Sequence, residues 1–167
     1  MPEKDVLIKE KLEHVGLFDY GEFYAYAYNW FKNENYSIVE NKYTEKAGGS
    51  SRDIEFEWTA GSKLSDYFKS EINFKIVVDG MSDVEVEIDG KKKKMNKGRV
   101  RMEFKGVLHR DIAGKYESTG FYMFLRGIYN KYVIPNRVDV MEDKVKDDTR
   151  DFKEKLKAFL EMSGKRS

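Results

Sequence analysis

The residues best suited to binding a ligand in this chain are seven basic side chains within one short stretch. They are Lys91, Lys92, Lys93, Lys94, Lys97, Arg99 and Arg101. Such a cluster could bind phosphate groups, an acidic protein surface or lipid headgroups. Lys91 and Lys93 would share a face with Arg99 only in a regular hairpin, because neighbouring residues of a strand point to opposite faces.

A structural role for the same basic cluster is the alternative. Lysines on an exposed strand edge discourage one sheet from pairing with another. The acidic residues Glu85 and Glu87 come shortly before the cluster and would neutralise part of its charge across a hairpin. Both interpretations stay open from the sequence.

Acid–base catalysis and metal binding have little support in the residue pattern. His14 and His109 are the only histidines and cysteine is absent, so a multi-histidine metal site and thiolate chemistry are excluded. His109 could act as a general base only if a carboxylate oriented it. Paired carboxylates such as Glu55 and Glu57 lie on a strand face that is expected to be exposed to solvent, not in an apolar pocket. The sequence therefore predicts no catalytic residue, metal or cofactor, and favours a binding domain over an enzyme.

Aromatic side chains provide the second candidate site. They make up 14% of the chain, which is enough for rings to fill a core or to line a cavity between helices and sheet. The candidate lining residues for a small apolar ligand are Tyr24, Trp30, Phe56 and Phe124. Tyr26 and Tyr122 fall outside the apolar faces of their predicted helices, and together they would form a contact surface for a protein partner if exposed.

The elements that position these residues follow from the spacing of apolar side chains. Four segments alternate apolar and charged residues, which is typical of strands with one buried and one solvated face. Their apolar members are Ile54, Phe56 and Trp58; Phe68, Ile72, Phe74, Ile76 and Val78; Val84, Val86 and Ile88; and Val100, Met102, Phe104 and Leu108. Asp79-Gly80 and Asp89-Gly90 are predicted turns. The sheet is therefore expected to be antiparallel.

Three amphipathic helices are predicted to cover the apolar face of this sheet. They span about 19–32, 118–132 and 141–162. Asp19 is the expected N-cap of the first helix, and Pro135 is expected to separate the second from the third. Residues 6–15 show only a weak strand pattern. The predicted fold is α+β, with a helix, five to six antiparallel strands and two helices packed on one face. This order resembles helix-grip and cystatin-like folds, which implies no particular function.

Length and charge restrict the class of protein. The 167 residues are close to the usual size of one domain, so residues 1–167 are expected to form a single α+β domain. The 31 basic and 30 acidic residues nearly balance, whereas proteins that bind nucleic acid through phosphates usually have a basic excess. No apolar stretch is long enough for a membrane span and no signal peptide is recognised, so a soluble, cytoplasmic protein is expected.

The sequence thus favours a non-enzymatic binding or adaptor domain that contacts a macromolecular partner, and the basic cluster would suit an anionic one. Two alternatives remain open. One is a carrier of a small apolar ligand, or an enzyme, built on a cavity between sheet and helices. The other is a nucleic-acid-binding protein that uses the basic hairpin. A carrier requires an enclosed void, whereas an adaptor requires a filled core and an exposed contact surface.

Overall fold

Five antiparallel strands and two helices make up the residues that the computed structural model describes, which are 3–65, 67–110 and 134–164. In chain order they are β1 (Glu3–Phe18), α1 (Tyr20–Asn33), β2 (Ser37–Gly48), β3 (Ser51–Lys63), β4 (Phe68–Ile88), β5 (Lys91–Arg110) and α2 (Ile134–Gly164). The strands form one sheet in the order β1-β5-β4-β3-β2. The predicted α+β class with an antiparallel sheet is confirmed.

The connections explain why α1 lies across the sheet. Strands β2 to β5 form a meander in which each strand pairs with the next along the chain. β1 instead pairs with β5 at the opposite edge, so α1 must carry the chain from one edge to the other. A register shift between Val6 and Ile8 breaks the alternation of β1. This irregularity explains why residues 6–15 gave only a weak strand pattern.

The predicted turn at Asp79-Gly80 is wrong. β4 continues through these residues, and a register shift between Asp79 and Ser82 marks an irregularity opposite β5. Gly80 has a φ of 61°, which glycine adopts as readily in a bulge as in a turn. Between β4 and β5 the chain reverses at Asp89-Gly90, as predicted. Two pairs of predicted strands are therefore halves of the long strands β4 and β5.

Both helices pack on the apolar face of the sheet. The buried residues of the central strands include Ile54, Phe74 and Phe104, as the alternation predicted. α1 contributes four residues at positions i, i+4, i+7 and i+8, which are Phe23, Ala27, Trp30 and Phe31. α2 contributes Phe152, Leu156 and Leu160 to the same cluster. The N-cap prediction is also confirmed, since Asp19 Oδ1 accepts a hydrogen bond of 3.0 Å from the backbone N–H of Glu22.

The last helix begins earlier than the sequence indicated. α2 starts at Ile134 rather than near residue 141, and Pro135 lies in its first turn. A proline there interrupts no hydrogen bond, because the first N–H groups of a helix have no partner within the helix. The predicted helix over 118–132, with Tyr122 and Phe124, lies outside the described residues. Neither α1 nor α2 carries an apolar stretch sufficient to cross a membrane.

A buried polar network joins α2 to the sheet. The Tyr36 hydroxyl donates a hydrogen bond of 2.7 Å to Asp148 Oδ2 and lies 2.7 Å from Ser70 Oγ. Lys144 Nζ lies 2.9 Å from Asp148 Oδ1. Tyr36 is only 3% exposed and Ser70 is fully buried. The burial of these polar groups is tolerated because their polar atoms are paired with one another.

Tyr36 makes the stability of the fold sensitive to alkaline pH. Burial, with a smaller contribution from Asp148, raises the pKa of the Tyr36 phenol well above its ordinary value of 10. The folded chain keeps this proton above pH 10 while the unfolded chain releases it, so the stabilisation present below pH 10 is lost as the pH rises. We expect Tyr36 to lower the free energy of unfolding by about 1.4 kcal/mol per pH unit above pH 10.

Urea unfolding between about pH 9 and about pH 11 measures this dependence. The variant Tyr36→Phe is the control, because it keeps the ring and removes the titrating group. The wild-type curve should fall more steeply than the variant curve above about pH 10. Parallel curves would contradict the assignment.

Candidate functional site

The seven basic residues do not form one patch. Met95 and Val100 of β5 are both buried although their positions differ by five. A regular strand would place them on opposite faces, so the irregularity lies between them. Lys93 consequently lies on the helix side, where its Nζ is 3.2 Å from Glu22 of α1. Arg101 lies on the charged side, where its guanidinium is 2.7 Å from Asp79. The hairpin is thus not regular, and its cations are divided between the two faces of the sheet.

Intramolecular ion pairs compensate much of this basic charge. The pairs are Lys93 with Glu22 and Asp19 at 3.2 and 3.9 Å, Lys94 with Asp83 at 3.4 Å, Arg99 with Glu13 at 2.9 Å and Arg101 with Asp79 at 2.7 Å. In the register of the two strands, Lys92 lies directly across from Glu87 on β4. Lys91, Lys92 and Lys97 are exposed and form no ion pair within the described ranges. The arrangement gives less support to an anionic partner than the sequence did.

His109 has the neighbouring carboxylate that general-base chemistry would need, but the two groups are poorly aligned. Its Nε2 lies 3.2 Å from Glu71 Oε1, and both side chains are largely buried. Within the described ranges this nitrogen has no hydrogen-bond partner. Glu71 Oε2 accepts a hydrogen bond of 3.2 Å from Asn73 instead. We therefore assign no catalytic role to His109.

The candidate aromatic residues lie in three different environments. Trp30 and Phe56 belong to the packed core, where Phe56 is fully buried. Tyr26 is half-buried, and its ring stacks on Phe159 of α2 with centroids 4.6 Å apart. Among the candidates that the structure describes, Tyr24 alone borders an open depression on the surface. Of the described residues predicted to line a cavity, one therefore faces accessible space and the other two fill the interior.

That depression lies between α1 and β2 and has a volume of about 390 Å³. We call it the tyrosine groove, and its side chains are Tyr20, Tyr24, Glu40 and Tyr43. Tyr20 and Tyr24 are one turn apart on α1. Glu40 and Tyr43 would face opposite sides of a regular strand, but a register shift between Glu40 and Lys42 brings both to the helix side, opposite Trp58 and Phe56 respectively. The irregularity of β2 thus assembles the groove.

The groove has an aromatic floor and a fixed carboxylate. Glu40 Oε2 accepts two hydrogen bonds of 2.8 Å, one from the Tyr24 hydroxyl and one from Trp58 Nε1. The Tyr24 ring meets the rings of Trp58 and Phe56 edge to face, with centroids 5.0 and 5.3 Å apart. These contacts fix the position of Glu40 before any ligand arrives.

Two tyrosines of the groove remain neutral at physiological pH. Burial and the hydrogen bond to Glu40 raise the pKa of Tyr24 to about 12. Burial and the hydroxyl of Tyr43, which lies 3.0 Å away, raise the pKa of Tyr20 as well. Glu40 forms no ion pair with any basic side chain in the described part of the chain. The groove therefore presents aromatic surface together with a carboxylate that has no cationic partner.

Sequence reasoning found only one member of this site. Tyr24 was a candidate for lining a cavity, and Tyr20, Tyr24 and Tyr28 recur at intervals of four residues, which places them in one row along a helix. That row was a usable signal. The sequence contains no such signal for Glu40 and Tyr43, because period-two alternation predicts that they lie on opposite faces of a strand. No protein family model, curated protein or solved structure matches this chain.

Proposed function

We propose that this chain is a non-enzymatic binding domain that docks a protein partner in the tyrosine groove. The observation that carries the proposal is the exposure of tyrosine in and beside the groove, since Tyr43 is 41% exposed and Tyr28, one helical turn after Tyr24, is 40% exposed. Tyrosine rings provide a large contact area at a low cost in side-chain entropy, and their hydroxyls provide hydrogen bonds. Such residues are enriched where proteins bind one another.

The adjacent strand supports an extended segment as the bound part of the partner. β2 lies at the edge of the sheet, and all of its residues except Ile38 are exposed. An extended segment beside β2 could form main-chain hydrogen bonds while its side chains enter the groove. The charged residues Lys42, Glu45 and Lys46 on this strand discourage pairing between copies of the chain.

Packing elsewhere in the described residues gives less support to the alternatives. Trp30, predicted to line a ligand cavity, instead packs on Phe152 with ring centroids 4.7 Å apart. Phe56 packs on Trp58 at 5.0 Å. The compensated charge of the β4–β5 hairpin likewise weakens the case for nucleic acid. A surface-binding role agrees better with these contacts than a ligand carrier does.

Selection from an unbiased library of displayed peptides tests this proposal, with the wild-type chain as bait. We expect peptides whose affinity falls at least about tenfold in Tyr43→Ala, because removing an aromatic anchor from a binding site usually costs more than 1 kcal/mol. Tyr26→Ala is the matched control, since Tyr26 lies against Phe159 and not in the groove. Circular dichroism melting verifies that both variants fold.

Two results would overturn the proposal. One is the absence of any enriched peptide after selection. The other is a set of peptides whose affinity depends on Tyr26 and not on Tyr43, which would place the contact surface on the side of α1 that faces α2.

A further inference from the structure

The rings of the tyrosine groove meet at angles. The centroids of Tyr20 and Tyr24 are 6.3 Å apart with planes inclined by 49°, and those of Tyr24 and Tyr43 are 6.5 Å apart with planes inclined by 75°. The three rings are therefore inclined to one another and form a corner around the groove. The face of an aromatic ring carries the negative part of its quadrupole, so a cation within about 6 Å of the centroids is attracted to such a corner.

The charged side chain of the groove is the Glu40 carboxylate, whose negative charge is complementary to a cation. Both hydrogen-bond donors to Glu40, Tyr24 and Trp58, are uncharged side chains, so neither provides a positive charge beside the carboxylate. Glu45 also lies on the helix side of β2, opposite Ile54, but it forms an ion pair of 3.2 Å with Arg52. Glu40 is therefore the carboxylate available to a ligand. A neutral ligand would desolvate this charge without compensation, whereas a cation would pair with it.

One ammonium group already lies over a tyrosine of the same helical row. Lys32 Nζ is 5.4 Å from the centroid of the Tyr28 ring, within the range of a cation–π contact. Tyr28 follows Tyr24 by one helical turn and also contacts Trp58, with ring centroids 6.3 Å apart. The tyrosine row of α1 thus accommodates an ammonium group at its C-terminal end, and the groove offers the same ring type together with a carboxylate.

We infer that the tyrosine groove binds an alkylammonium group, namely a lysine side chain of the partner or its N-methylated form. This inference rests on the proposed function, because it identifies the side chain that the docked segment inserts. Methylation should strengthen binding, since each methyl group weakens hydration of the cation and enlarges its contact with the rings.

An NMR titration with a small probe tests the inference without knowledge of the partner. The probe is choline, and its control is the uncharged analogue in which a tert-butyl group replaces the trimethylammonium group. We expect saturable shifts of the groove tyrosine ring signals with choline, and binding of the analogue that is weaker by about tenfold. The two molecules have nearly the same shape, so the difference reports the charge.

Glu40→Gln and Glu45→Gln form a matched pair of variants. Glutamine at position 40 keeps an oxygen that can accept hydrogen bonds from Tyr24 and Trp58, so the rings should stay in place. We expect Glu40→Gln to weaken choline binding by about fivefold and to reduce its advantage over the analogue. Glu45→Gln should leave choline binding unchanged, because Glu45 is neutralised by Arg52.

The outcomes separate this inference from the proposed function. Equal binding of choline and its analogue, no binding of choline, or an unchanged preference in Glu40→Gln would each overturn the inference. If the affinity of the selected peptides then depended on Tyr43 but required no basic residue, the proposed function would still be supported without the cation site. Choline selectivity without any peptide binder would instead support the cation site and overturn the protein partner.

Discussion

Replacing Phe152 with alanine should lower the free energy of unfolding by about 3–5 kcal/mol. Phe152 is fully buried at the point where α1, α2 and the sheet meet. Its ring contacts the aromatic residues Phe31, Trp30, Phe74 and Phe104, with centroids 4.4, 4.7, 4.8 and 5.6 Å away. Truncation would leave a cavity that rigid rings on three elements cannot close, so the cavity adds to the loss of buried apolar area.

Phe159→Ala is the matched control for this prediction. Phe159 follows Phe152 by seven residues on the same helix, but it is only half-buried and its ring stacks on Tyr26. Its removal should cost about 1–2 kcal/mol, because part of the ring is already in water and the site opens to solvent. Urea unfolding measures both variants. Equal losses would show that Phe152 is not at the centre of the core.

A side chain at Gly106 should destabilise the fold by about 1–3 kcal/mol, even one as small as alanine. An added Cβ would lie 2.5 Å from Thr149 Oγ1, 2.7 Å from Ile8 Cγ2 and 3.1 Å from Val145 Cγ1. Thr149 cannot easily move away, since its hydroxyl donates a hydrogen bond of 2.8 Å to the Val145 carbonyl of the same helix. Alanine at this position would push α2 away from β1 and β5.

Gly48→Ala is the corresponding control for Gly106→Ala. Gly48 also lies in a strand, but an added Cβ there would meet no atom of the described residues within 4 Å. We expect its effect to stay within about 0.5 kcal/mol, which is usual for exposed positions. Thermal unfolding of both variants measures the difference. A Gly106→Ala variant as stable as the wild-type chain would show that α2 can shift at this crossing without loss.

The sequence by itself determined which side chains are buried in the central sheet and where the first helix begins. Ile54, Phe74 and Phe104 are buried as their alternation with charged residues required, because a one-residue slip would expose a whole apolar row. Asp19 caps α1 because the oxygen of a short side chain just before a helix can accept a hydrogen bond from a backbone N–H group of the first helical turn. These features depend on neighbours along the chain, which a sequence displays directly.

Only the tertiary structure decided where strands shift register, and the candidate site depends on one such shift. Glu40 and Tyr43 lie on one side of β2 because pairing with β3 is irregular beside Lys42. Lys93 and Arg101 lie on different faces of the sheet because the pairing of β4 with β5 is irregular near Gly80. Position 106 is restricted to glycine by a helix that lies far along the chain. A register shift is set by contacts between strands and not by the preferences of one segment, so local alternation predicts the faces of a strand only as far as its first bulge.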